Sequence, residues 1–147
     1  MDKELYITQW FSEEMRAAGG RLVKRLQESS AEVALAYWVL DSEEKVWELI
    51  IISPLVGIEG ARAYYKRIDD INCQAGPDEE TLSLHDINVS SLKHPIVKAL
   101  KNSLIYQADL DNRRLGRNWI GGFFVEDSYF YHVNWNMLQE ADVQVTG

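Results

Sequence analysis

At 147 residues with a formal net charge of −8, the chain has the size of a single domain, 1–147, large enough to fold without disulfides. Its one cysteine, Cys73, excludes an intramolecular disulfide framework and fits a reducing compartment. The acidic balance works against general binding to phosphate backbones, because like charges repel at long range.

The opening residues, "MDKELYITQW", carry charges and no apolar core of signal-peptide length. The longest apolar run, "VALAYWVL", falls well short of the ~20 residues that span a bilayer. These features predict a cytoplasmic protein with no membrane contact.

A helix is expected from Thr8 to about Glu28, because Phe11, Met15, Ala18, Leu22 and Leu26 recur at helical spacing. Thr8 or Ser12 would cap it. Gly19-Gly20 interrupts the pattern, and each interior glycine costs ~1 kcal/mol relative to alanine. Either the helix breaks there or Gly19 admits a close neighbour.

Residues 32–41 and 45–53 read as a β-hairpin about a polar turn at Asp41 to Glu44. The first strand is apolar on both faces, with Val33, Leu35, Tyr37 and Val39 on one and Ala34, Ala36, Trp38 and Leu40 on the other. The second is nearly so, Glu48 excepted. Such strands need cover on both sides.

"SPLVGIEGARAYYKR" (53–67) follows, with Gly57 and Gly60 before a helix bearing Arg62, Lys66 and Arg67. A phosphate-binding Walker loop would need four residues between its glycines and a lysine after the second, and neither is present. Glu59 at the helix start also disfavours an anion. The stretch reads as a corner. "TLSLHDINV" (81–89) reads as a strand with a bulge near His85-Asp86, and a helix follows with Ile96, Val97, Leu100 and Leu104 inward. Ser91 would cap it, or Pro95 would start it.

The last third, "RRLGRNWIGGFFVEDSYFYHVNW", is predicted to form strands at about 117–125 and 129–134 joined at Glu126 to Ser128, or one long bent strand. Residues 137–147 read as a tail. The element order α-β-β-α-β-α-β-β argues for an α+β domain, with a mixed, mainly antiparallel sheet of about five strands and about three helices.

Several constellations bear on function. Arg113, Arg114 and Arg117 beside Trp119 could grip an acidic group or stack on bases, or could guard an edge strand. Phe124, Phe130 and His132 share one face of the terminal hairpin, with Phe123, Val125, Tyr129 and Tyr131 on the other. Seven aromatic residues lie between Trp119 and Trp135, more sheet surface than three helices can cover. That excess predicts a partner, a second copy or another protein, because interfaces favour aromatic rings. The ligand- or partner-binding candidates are therefore Arg113, Arg114, Arg117, Trp119, Phe124, Phe130 and His132. No catalytic residue, metal ligand or cofactor is assigned. The three histidines are not spaced as a helical metal pair, and "DLD" (109–111) offers two carboxylates without a third ligand.

The order helix, hairpin, helix, strand also resembles the restriction-endonuclease core, which would make Asp41 and Glu48 metal carboxylates. That family's pattern places a lysine two residues after the second acid, where Ile50 stands here. The stretches "AYWVLDSEEKVWELIIISPLVGIEGARAYYKRI" and "RLGRNWIGGFFVEDSYFYHV" resemble segments of short uncharacterised bacterial proteins, a resemblance that implies no activity. The reading is a non-catalytic binding module, acting as a homodimer or complex component, with a small acidic ligand as a further candidate partner. The alternatives are a metal-dependent phosphodiester hydrolase, with Asp41, Glu48, Asp109 and Asp111 converging, and nucleic-acid binding through residues 113–119.

Overall fold

A computed structural model describes residues 3–139 of the chain. The fold is α+β. Its elements are β1 (Lys3–Glu4), α1 (Glu13–Glu28), β2 (Leu35–Leu40), β3 (Trp47–Ile52), α2 (Pro54–Glu59), α3 (Ala61–Cys73), β4 (Glu80–Thr81), β5 (Ile87–Ser90), α4 (Pro95–Lys101), β6 (Arg113–Ile120) and β7 (Phe123–Val133). Residues 135–139 are helical as well. Five strands form one sheet in the order β5-β3-β2-β7-β6, and β1 pairs with β4 separately. Only β3 and β5 run parallel within the main sheet. Among the described residues, no helix is long and apolar enough to cross a membrane.

The doubly apolar central strands receive a cover on each face. On the first face Ala36, Trp38, Leu49 and Ile51 pack against Met15, Leu22 and Leu26 of α1 and Tyr64 and Ile68 of α3. On the second, Leu35, Tyr37, Ile50 and Ile52 pack against Ile96, Val97 and Leu100 of α4 and against Leu138. Met137 and Leu138 therefore belong to the packed body and not to a tail; residues 140–147 of the expected tail lie outside the described residues.

Helix α1 runs unbroken through Gly19-Gly20, and Ser12, not Thr8, caps it by accepting the Met15 amide. Gly19 is the close approach: a Cβ there would overlap the Tyr131 hydroxyl and lie 2.8 Å from Trp38 Nε1. The Tyr131 hydroxyl accepts a hydrogen bond from Trp38 Nε1 at 2.8 Å and donates to the Arg16 carbonyl at 2.7 Å. Two buried rings thus reach the α1 backbone because one side chain is missing.

The stretch from Ser53 to Arg67 makes a helix–glycine–helix corner. Ser53 caps α2 by accepting the Leu55 amide, and its hydroxyl donates to the Ala31 carbonyl. Gly60, at φ 91°, supplies the left-handed backbone between α2 and α3. Glu59 is tied to Arg67 at 2.6 Å.

Three details differ from expectation. The bulge expected near His85-Asp86 is a 3₁₀ turn, Leu84–Asp86, capped by Ser83, so residues 81–89 form two short strands and not one. Helix α4 ends at Lys101, which leaves Leu104 beyond it and fully exposed, not inward. The terminal hairpin turns at Gly121-Gly122 and not at Glu126 to Ser128, which lie inside β7. Both glycines have positive φ, 53° and 95°, as a tight two-residue turn requires.

A break does occur near Glu126, but in side-chain parity. Val125 and Phe130, five residues apart, both pack on the second face, as do Leu115 and Ile120, also five apart, on the neighbouring strand. Alternation would put residues five apart on opposite faces. Arg117, with φ 36°, marks where the pleat reverses. Val125 therefore joins Phe130, while Tyr129 and Tyr131 lie on the first face, which corrects the expected grouping of Val125 with the two tyrosines.

Candidate functional site

The sequence-derived residues do not form one cluster. Arg114 grips Asp127 through Nε and a terminal nitrogen at 3.1 and 2.6 Å, and its guanidinium lies 5.4 Å from the Phe11 ring centroid and 6.0 Å from that of Trp47. It is thereby tied to the α1 side, whereas α4, with Lys98 and Lys101, packs on the other face. Arg113 and Arg117 are exposed along the outer strand β6. His132 sits half-buried with Nδ1 3.3 Å from Asp111. Phe130 is fully buried and stacks on Tyr37 with centroids 4.9 Å apart, so it acts as core.

Trp119 and Phe124 are different. Both lie near the tip of the β6–β7 hairpin, 69% and 43% exposed, with their rings edge to face at 5.3 Å. Phe123, 49% exposed, joins them across the Gly121-Gly122 turn. Beside this tip is a cavity of about 240 Å³ lined by Tyr37, Val39, His94, Pro95, Ile96, Phe123, Phe124 and Val125. The Gly121 turn lies against Ala99 of α4; a Cβ on Gly121 would overlap the Ala99 carbonyl oxygen and come within 2.6 Å of its carbon.

Two polar groups line the otherwise apolar cavity. His94 starts α4, and its Nδ1 accepts the Ile96 amide at 3.1 Å. An imidazole nitrogen that accepts carries no hydrogen, so the proton of neutral His94 is on Nε2. Burial pushes the His94 imidazole below its ordinary value, which keeps it neutral at pH 7. Tyr37 is 5% exposed, and its hydroxyl makes no hydrogen bond among the described residues. Burial, with nearby Glu48 adding to it, pushes the Tyr37 phenol well up, so it stays a donor.

Glu48, opposite Val39, is half-buried on the same face. Burial pushes its carboxyl above the ordinary range; the Asn88 side chain opposes the shift, and Asp41 and Asp86 add to it. A carboxyl raised in the folded state holds its proton longer than in the unfolded chain. Stability is therefore lost as pH rises above the ordinary value of 4.5 and through the folded value. Glu48→Gln removes that loss: its melting temperature should exceed the wild type's at pH 7 and meet it below pH 4.5. A scan of melting temperature against pH for both proteins checks this, and a constant offset at all pH values would contradict it.

Glu48 and Asp41 belong to the end of the sheet where β2 finishes. Asp111 lies at the other end, where it accepts the Val133 amide and Val133 pairs with Leu35. Those ends are ~20 Å apart along the strand. Among the described residues, no group of three or more histidine, cysteine or acidic side chains could hold a metal ion. The carboxylate convergence that a metal-dependent hydrolase needs is absent from this region.

The sequence pattern marks Tyr37, Val39 and Phe123 only as strand residues and gives His94 no part in a site, although its side chain caps α4. Comparison with known protein families, curated proteins and solved structures finds no match to this chain.

Proposed function

We propose that this protein is a non-catalytic binding module that self-associates, and that its contact surface is the tip of the β6–β7 hairpin. One observation carries the reading: Trp119, Phe123 and Phe124 are exposed together beside an apolar cavity, while Tyr129, Phe130 and Tyr131 of the same hairpin are buried. Large exposed aromatic rings are the residue types that dominate interface energetics. Strand β6 is also a sheet edge with free backbone groups. Of the three arginines, Arg113 and Arg117 remain available to orient an acidic group of the companion, because Arg114 is engaged by Asp127.

Light scattering tests the reading. The measured mass should rise above the monomer's 16.9 kDa at high micromolar protein. The double variant Trp119→Ala/Phe124→Ala should return it to monomer while changing the melting temperature little, since exposed positions seldom move stability by more than about 0.5 kcal/mol. Monomer mass at every concentration overturns self-association.

A further inference from the structure

The cavity beside the hairpin tip is apolar except for Tyr37 and His94. The Tyr37 hydroxyl makes no hydrogen bond to the described residues, so only solvent or a ligand can pair it, and it stays protonated. The His94 ring is held by the Ile96 amide in the tautomer that carries its hydrogen on Nε2. Both polar groups can therefore donate, the Tyr37 oxygen can also accept, and neither carries a charge at neutral pH.

We infer that this cavity binds a small neutral molecule whose apolar body, one ring or a short alkyl chain, carries a carbonyl oxygen that accepts hydrogen bonds from the Tyr37 hydroxyl and the His94 Nε2–H. A carbonyl oxygen has two lone pairs and so can satisfy both donors. Size limits the body, since about 240 Å³ is below the usual range of drug-sized pockets, roughly 300–1,000 Å³. Charge sets the sign. An anion would find no positive partner there, would face Glu48 on the same sheet face and would meet a chain of net charge −8. A cation would find one hydroxyl oxygen as an acceptor and no carboxylate among the lining residues. The apolar body would lie among Val39, Ile96, Phe124 and Val125. The inference rests on the binding reading above but turns on the Tyr37 and His94 donors, sharing with that surface Phe123 and Phe124 of the cavity wall.

The test is a titration followed in two-dimensional ¹⁵N–¹H spectra of the full chain with three probes: acetophenone, α-methylstyrene, in which a CH₂ group replaces the carbonyl oxygen, and benzoate. Acetophenone should shift the amides of residues 37–39, 94–96 and 123–125. α-Methylstyrene should bind about tenfold more weakly or worse, because it leaves both donors unpaired. Benzoate should cause no shift there. Tyr37→Phe keeps the ring on Phe130 and removes only the hydroxyl, so it should weaken acetophenone about tenfold and leave α-methylstyrene unchanged. Equal affinity for acetophenone and α-methylstyrene in the wild type overturns the inference without any variant. So do tighter binding of benzoate, shifts confined to other residues, or no shift with millimolar acetophenone. Monomer mass in light scattering together with these shifts would remove self-association and leave the ligand site standing. Self-association without the shifts would do the reverse.

Discussion

Gly19→Ala lowers the melting temperature by on the order of 10 °C, whereas Gly20→Ala raises it slightly. The two positions are adjacent in one helix, so intrinsic propensity predicts the same effect at both, a gain of up to ~1 kcal/mol per alanine. Packing separates them. At Gly20 the new Cβ lies 3.5 Å from Tyr131 Cε1, an ordinary contact. At Gly19 it overlaps the Tyr131 hydroxyl, which is fixed between Trp38 Nε1 and the Arg16 carbonyl. Moving the tyrosine breaks a buried pair of hydrogen bonds, and moving the helix opens the first core. Overpacking costs typically 1–3 kcal/mol and an unpartnered buried donor a similar amount, so about 2–4 kcal/mol is expected. At roughly 2–4 °C per kcal/mol for a chain of this size, the shift is readable by calorimetry. Equal melting temperatures for the two variants would show that Tyr131 does not lie against α1.

Gly121→Ala is expected to cost about 3 kcal/mol or more, and Gly122→Ala only about 1 kcal/mol, because strain of the left-handed backbone acts at both but overpacking acts at one. Both glycines have positive φ. Only Gly121 faces a neighbour, and that neighbour is backbone: the Ala99 carbonyl carbon and Cα, each 2.6 Å from the new Cβ. No rotamer change relieves such an overlap, so the hairpin tip and α4 must part. Hydrogen exchange should show the separation as faster exchange of the α4 amides in Gly121→Ala and not in Gly122→Ala. The same separation should open the cavity, since α4 and β7 each supply part of its wall. Equal destabilisation by the two variants would mean that the turn does not dock on α4.

The hairpin is where sequence and structure part most usefully. Gly121-Gly122 is itself a two-residue turn signal, but the polar Glu126 to Ser128 between two aromatic stretches of unchanged parity reads as the turn. Parity reports which face a side chain occupies. A strand can reverse that face by local distortion, as at Arg117, without reversing direction. Leu104 shows the same limit in a helix: its spacing from Leu100 is helical, yet α4 has already ended at Lys101.

What residues 32–53 carried in their own order was enough to require a two-sided sheet, because Ala36, Trp38 and Ile51 alternate with Leu35, Tyr37 and Ile50 and every one of them is greasy. Capping was equally local: Ser12, Ser53 and Pro95 stand where helices start, since each acts on backbone groups within a few positions. The partner of Gly19, the donor pair of Tyr37 and His94, and the docking of Gly121 on Ala99 depended on three-dimensional assembly. Each joins segments far apart along the chain, and periodicity within one segment says which way a side chain faces, not what it meets.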